Sequence, residues 1–132
     1  MASIHKTFTI DAPAASVWDA LADVGAIPTR LVPELVVDTT LEGEIRTVTF
    51  SNGFVVRERL IDIDHARRRI AYSASGGQLE YHHASMQVVE DGDGRCRFEW
   101  VTDLKPDEAR DAIVQLIDEG SRIMQKHLAR HE

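Results

Sequence analysis

The stretch RTVTFSNGFVVRERL, residues 46–60, predicts a β-hairpin and with it the direction in which the following strands face. Apolar and polar residues alternate on both sides of Ser-Asn-Gly at 51–53, a sequence typical of a tight turn. A three-residue loop whose glycine takes the left-handed conformation pairs Phe50 with Phe54. We therefore predict antiparallel strands on either side of residues 51–53.

This register places a charged pair on the apolar face of the hairpin. Counting back from the turn pairs Val48 with Val56, and Arg46 with Glu58. A two-residue Asn-Gly turn would instead set Arg46 opposite Arg59, which brings like charges together. We therefore predict that Arg46 and Glu58 are cross-strand partners facing the interior.

The same period of two continues from Leu35 to Asp103 and predicts an antiparallel meander. Short turns rich in glycine, asparagine or aspartate separate the apolar runs. The segment IHKTFTI, residues 4–10, alternates in the same way and predicts a first strand. The other predicted strands are 35–41, 45–51, 54–63, 68–75, 81–90 and 95–103.

Two helices flank the meander. The segment DAPAASVWDALADVG has a helix-start pattern, with Asp11 or Ala12 at the cap and Pro13 in the first turn. The segment AIPTRLVPE, interrupted by prolines, has room for at most one further helical turn.

The C-terminal segment KPDEARDAIVQLIDEGSRIMQKHLARHE is the clearest helix in the chain. About two dozen residues at 1.5 Å each give a length on the order of 35 Å. Gly120 interrupts its apolar stripe, so we expect a bend or a close approach there. The residues expected in its first turn are Pro106, Asp107 and Glu108. The basic residues expected at its other end are Lys126, Arg130 and His131.

The order of strand, helix, six strands and long helix predicts an α+β fold in which a curved antiparallel sheet wraps around the C-terminal helix. The 132 residues, 43% of them hydrophobic, suffice for one domain, 1–132, with a real core. The net charge of −7 argues against nucleic acid or anionic membranes as partners. With no signal peptide and no apolar run long enough to span a bilayer, we expect a soluble, cytoplasmic protein.

Three segments together resemble the START-related SRPBCC superfamily, and within it the polyketide cyclase/dehydrase-like proteins. These are FTIDAPAASVWDALADVGAI, GEIRTVTFSNGFVVRERLIDIDHARRRIAYSA and CRFEWVTDL. The resemblance covers nearly the whole chain. It implies a helix-grip fold, with seven strands curled around the last helix and an apolar cavity between them. It does not imply a particular reaction.

Alternation along the strands predicts which side chains face this cavity. The polar ones are Arg46, Glu58, Tyr72 and His82. Of these, His82 and Glu58 are candidates for proton transfer, since an unperturbed histidine titrates near neutrality. The predicted ligand contacts are Arg46, Tyr72, Trp100, Phe98, Met86, Phe50, Val56, Trp18 and Met124.

Each of these side chains also has a structural interpretation. The Arg46–Glu58 pair could be a satisfied ion pair, and His82 a strand-end residue bonded to a neighbour. Tyr72 and the tryptophans are more often core residues. Adjacent His82 and His83 point to opposite faces of a strand and cannot jointly bind one metal. We predict no metal and no cofactor.

Two functions fit these patterns. The first is binding of a small hydrophobic or aromatic, polyketide-like molecule in an internal cavity, with acid–base cyclisation, dehydration or isomerisation as the chemistry available. The alternative is a non-enzymatic stress-response or interaction domain whose core is filled. The volume between sheet and helix distinguishes them, since a pocket of several hundred Å³ favours the ligand. Homodimerisation is left open by the sequence.

Overall fold

The computed structural model describes residues 2–77 and 79–129. Its strands are β1 (Ala2–Ile10), β2 (Val36–Glu42), β3 (Ile45–Phe50), β4 (Val55–Asp64), β5 (Arg69–Ser75), β6 (Tyr81–Glu90) and β7 (Cys96–Lys105). They form one seven-stranded antiparallel sheet in the order β1-β7-β6-β5-β4-β3-β2. The predicted meander is confirmed, and pairing of β1 with β7 adds the first strand to its end.

The β3–β4 hairpin has the predicted register. Arg46 lies opposite Glu58, and Val48 opposite Val56. The Phe50 N–H donates to the Phe54 carbonyl at 2.8 Å. The glycine of the turn has a φ of 88°, the left-handed conformation that the three-residue loop requires. Turn chemistry and alternation therefore suffice to set this register.

A bulge in β4 was not predicted. Leu60 pairs with Tyr72, but the next paired residue is Asp62, opposite Ala71. The extra residue, Ile61, is 52% exposed. A bulge of this kind bends the strand and increases its twist, which helps the sheet to curve.

The first helix, α1 (Ala14–Ala22), begins later than predicted. Pro13 adopts an extended conformation, with φ −62° and ψ 144°, and immediately precedes the helix. The prediction of a cap at Asp11 or Ala12 is therefore wrong. A single π-helical turn, Ile27–Leu31, follows, in agreement with the limit of one helical turn expected before Pro33.

The second helix, α2 (Arg110–Leu128), is shorter than predicted because residues Asp107–Ala109 form a separate 3-10 turn. Its 19 residues span about 28 Å at 1.5 Å each. The predicted basic residues Arg130 and His131 lie outside the described residues.

Helix α2 lies against the sheet with Ile117 and Met124 buried. Its contacts with β1 include a 3.1 Å ion pair between Lys6 and Asp118. The close approach expected at Gly120 is present, since a Cβ atom there would lie 3.5 Å from the Trp100 ring. The glycine thus marks the point where helix and sheet are close together.

Candidate functional site

A cavity of about 450 Å³ lies between the sheet, α2 and the segment that connects α1 to β2. Aliphatic and aromatic side chains form most of its wall. Strand alternation correctly predicted many of these positions, because one face of each strand is directed at α2. The predicted site residues that line the cavity are Arg46, Phe50, Val56, Glu58, Tyr72, His82, Met86, Trp100 and Met124.

Two predicted ligand contacts, Phe98 and Trp18, are not among the residues that line the cavity. Phe98 is fully buried and stacks on Phe8, with 4.9 Å between ring centroids. Its side chain faces inward, but this packing fills the space around it. Trp18 instead donates its indole N–H to His65 Nδ1 at 3.2 Å.

Several lining residues were not predicted as ligand contacts. Ile27 and Leu31 come from the π-helical turn, whose proline-interrupted sequence carries no useful periodicity. Ile113 and Ile117 come from α2, where helical spacing marked the apolar stripe but not the part that faces a void. Only the packing of these segments over the sheet identifies them.

The more exposed part of the wall indicates where the cavity opens. Phe54, beside the β3–β4 turn, is 43% exposed, and Ala112 near the start of α2 is also exposed. Gly77, in the β5–β6 turn, completes this edge. A Cβ atom on Gly77 would come within 2.8 Å of the Phe54 ring, so the glycine lets the phenyl group lie across the opening.

Arg46 and Glu58 form a buried ion pair in the cavity wall, 5% and 8% exposed. Arg46 Nε and Nη2 both donate to Glu58 Oε1, at 2.7 and 2.6 Å. Arg46 Nη1 donates to the Val24 carbonyl at 3.3 Å. The guanidinium carbon is 5.4 Å from the centroid of the Tyr72 ring. The arginine therefore uses every nitrogen of its guanidinium in contacts within the protein.

The carboxylate of Glu58 has one oxygen left for other contacts. Both arginine donors bind Oε1, and no donor within residues 2–77 and 79–129 is hydrogen-bonded to Oε2. Burial raises the pKa of Glu58, whereas the charge and hydrogen bonds of Arg46 act in the opposite direction. This makes Oε2 a proton acceptor of increased basicity at the cavity wall.

The ring of His82 is held as the neutral tautomer that carries its proton on Nε2. Its Nδ1 accepts a hydrogen bond from the Ala74 backbone N–H at 3.1 Å, so Nδ1 is unprotonated. Burial, with a smaller effect of His83, lowers the pKa of His82 to about 4. At neutral pH the ring can donate from Nε2, but it is a poor base because its acceptor nitrogen is already bonded.

Tyr72 lies beside His82, with 5.9 Å between the ring centroids. Burial and the nearby Glu58 raise the pKa of its phenol, which therefore stays protonated. The Trp100 indole N–H acts on the phenol in the opposite direction. That N–H is buried and has no acceptor at hydrogen-bond geometry among the described residues. The cavity wall thus combines neutral hydrogen-bond donors with one carboxylate oxygen.

In the part of the chain that the structure describes, no group of three or more histidine, cysteine or acidic side chains is arranged to hold a metal ion. Within residues 2–77 and 79–129, no helix combines the length and apolar character needed to cross a bilayer.

The profile of a family described as polyketide cyclase/dehydrase and lipid transport matches residues 1–130. No curated protein matches the chain significantly.

Solved structures similar to this chain have the same fold. The protein XoxI from Bacillus cereus superposes with a TM-score of 0.87 at 20% identity, covering 97% of this chain and 96% of that one. A START superfamily protein from Mycobacterium smegmatis has a TM-score of 0.81 at 10% identity, covering 96% of both chains. The Zhui aromatase/cyclase from a Streptomyces species has a TM-score of 0.76 at 20% identity, covering 96% of this chain and 90% of that one. At these identities the likeness shows the fold, and the predicted helix-grip architecture is confirmed.

Proposed function

This chain belongs to the polyketide cyclase/dehydrase and lipid transport family, and on that premise we propose that it binds a small hydrophobic or aromatic, polyketide-like molecule in its internal cavity. The observation that carries the proposal is the cavity of about 450 Å³, whose wall is mostly apolar with a few polar groups. Sites of this size and composition are typical of small-molecule binding, because apolar walls supply affinity and sparse polar groups supply orientation.

The cavity also weighs against the alternative of an interaction domain with a filled core. The large side chains that could have closed the space, such as Phe50, Met86 and Trp100, line the cavity instead. A void of this volume lowers stability unless something occupies it. This supports a ligand as the cavity's occupant.

The polar groups equip the cavity for acid–base chemistry on a carbonyl compound: cyclisation, dehydration or isomerisation. We assign proton abstraction to Glu58 Oε2, which no described donor occupies. Tyr72 would donate to the substrate oxygen as negative charge develops there. His82, at first a candidate base, is assigned a donor's role through Nε2, because its Nδ1 is bonded to Ala74.

The other expectations remain proposals. The net charge of −7 supports a chain that avoids nucleic acid and anionic membrane surfaces, and a cytoplasmic location is consistent with it. That the protein needs no cofactor stays a prediction from the sequence, which also allows a homodimer.

Native mass spectrometry of protein purified from its own host tests the proposal. The variant Ala74→Phe fills the cavity from β5, and Ser73→Phe adds the same ring on the opposite face of the same strand. We expect a small molecule bound to wild type and Ser73→Phe but absent from Ala74→Phe. A clean apo mass for the wild type would instead favour the filled-core alternative, and equal occupancy in Ala74→Phe would place the bound molecule outside the cavity.

A further inference from the structure

We infer that the cavity selects uncharged ligands bearing a carbonyl-type oxygen and rejects carboxylates, and that Glu58 determines this selectivity. The inference rests on the proposed ligand-binding function and names the class of ligand. It follows from two features of the cavity wall: the charge of Arg46 is paired with Glu58, and the remaining donors, Tyr72 and His82, are neutral.

The positive charge in the wall is not available to an anionic ligand. Arg46 donates through Nε and Nη2 to Glu58 and through Nη1 to the Val24 carbonyl. Its charge is balanced by the carboxylate of Glu58 at 2.6 Å. Three of the five guanidinium N–H groups are engaged within the protein, and the charge of Arg46 is already compensated. A carboxylate arriving at this wall would therefore lose its hydration without gaining an uncompensated positive charge as a partner.

Negative charge at the exposed edge of the cavity also disfavours the entry of carboxylate ligands. Glu108 lies in the lining at the exposed edge, near the start of α2. Deeper in the cavity, the carboxylate of Glu58 leaves the paired Arg46 with no net positive charge to attract an anion. The chain as a whole carries a net charge of −7. The charge of Glu108 and the net charge of the chain repel a carboxylate and leave a neutral molecule unaffected.

The remaining polar groups suit an uncharged oxygen. The Tyr72 phenol stays protonated, and His82 presents Nε2–H because its Nδ1 accepts from the Ala74 N–H. Their rings are 5.9 Å apart in the same wall. A ligand oxygen can accept from these groups, whereas a pure hydrocarbon would leave them desolvated and unpaired.

Glu58 occupies the place beside Arg46 that a ligand carboxylate would need. The variant Glu58→Gln keeps nearly the same shape but removes the charge. Arg46 would then carry an uncompensated charge at a largely dry wall, and a ligand carboxylate could supply the missing partner. We therefore expect the variant to reverse the preference of the cavity.

Three probes of nearly equal shape separate these effects: acetylnaphthalene, isopropenylnaphthalene and naphthoate, all substituted at the same ring position. They carry a neutral acceptor, no acceptor and a negative charge, respectively. By isothermal titration calorimetry at pH 7, we expect wild type to bind acetylnaphthalene at least about tenfold more tightly than either of the others. In Glu58→Gln, the affinity for naphthoate should rise at least about tenfold.

Glu119→Gln is the matched control, because it removes one negative charge from an exposed position of α2 outside the lining and should leave all three affinities unchanged. If Glu58→Gln does not fold, Tyr72→Phe supplies a second test. It should lose affinity for acetylnaphthalene while keeping that for isopropenylnaphthalene.

The outcomes separate the inference from the proposed function. Equal binding of the three probes by wild type, or binding of naphthoate as tight as that of acetylnaphthalene, overturns the selectivity but leaves the ligand-binding cavity standing. Failure of all three probes to bind wild type overturns the inference and counts against the proposed function as well.

Discussion

At the scale of single residues, the buried Arg46–Glu58 ion pair carries an energetic cost that stability alone does not explain. Removing two charges from water costs several kcal/mol for each ion, and their attraction restores only part of it. Pairs of this kind can often be replaced by hydrophobic residues without loss of stability. Their presence in the wall of a cavity is therefore better explained by a role in ligand recognition than by a need for stability.

The pairing itself can be measured by a double-mutant cycle. We expect Arg46→Ala and Glu58→Ala each to lower the free energy of unfolding by about 3 to 5 kcal/mol, because each leaves a buried charge without its partner. The double variant should lose much less than the sum. Urea denaturation measures the free energy of unfolding of the two single variants and of the double variant.

The exposed pair Arg67–Asp64 is the control, with 2.9 Å between nitrogen and oxygen and the arginine side chain 75% exposed. Its coupling energy should not exceed about 1 kcal/mol. Additive effects at Arg46 and Glu58 would contradict the buried pair.

His82 makes stability depend on pH. Its folded-state pKa is lowered to about 4, against about 6.5 in an unfolded chain. Between these values the unfolded state takes up a proton that the folded state does not, so the contribution of His82 to stability is lost as pH falls from about 6.5 to about 4. The free energy of unfolding of wild type should therefore fall more steeply over this range than that of His82→Gln.

Urea denaturation at several pH values tests the difference between the two proteins, because the other titrating groups are common to both. An NMR titration of the His82 ring should show a midpoint near 4. Parallel curves for wild type and His82→Gln, or a midpoint near 6.5, would contradict the buried neutral ring.

At the scale of elements, α2 both packs on the sheet and closes the cavity. Ile113 and Ile117 line the void, and further along the helix Gly120 approaches the Trp100 ring. A glycine in the middle of a helix lowers helix stability relative to alanine. Here the helix and the sheet are close, but the space beside Gly120 is still wide enough for a methyl group.

The variant Gly120→Ala tests how tight this approach is. The added Cβ would meet Trp100 at 3.5 Å and Leu35 at 3.6 Å, which are ordinary van der Waals contacts. We therefore expect the free energy of unfolding to rise by about 0.5 to 1 kcal/mol, since alanine is the better helix former. Thermal denaturation measures the change.

Gly120→Leu is the comparison, because its larger side chain must displace the Trp100 ring and should destabilise the protein. A loss of stability in Gly120→Ala itself would mean that the helix and the sheet cannot accommodate even a methyl group.

At the scale of the whole molecule, the curvature of the sheet leaves more space than α2 fills. The resulting void of about 450 Å³ lowers the stability of the empty protein, because the side chains around it lack packing partners. A bound ligand can restore these contacts. A ligand that binds only the folded state must then raise its stability.

Acetylnaphthalene should therefore raise the free energy of unfolding of wild type by about 2.7 kcal/mol when its concentration is about 100 times its dissociation constant. Differential scanning calorimetry measures this as a rise in Tm. The same addition should leave Ala74→Phe unchanged, since the new ring occupies the cavity. An equal rise in that variant would place the binding site outside the cavity.

The sequence by itself determined the meander, the register of the hairpin and the inward direction of Arg46, Glu58, Tyr72 and His82. These features depend on turn chemistry and on the period of two, both of which are local along the chain. The family resemblance added the helix-grip arrangement and the expectation of a cavity.

Only the tertiary structure decided which inward side chains border the void. Phe98 faces inward but is covered by Phe8, and Trp18 is bonded to His65. The bond from the Ala74 N–H that holds His82 neutral is likewise invisible in the sequence. Each of these outcomes depends on distances between residues far apart along the chain or on hydrogen-bond geometry across strands, and neither periodicity nor composition encodes such distances.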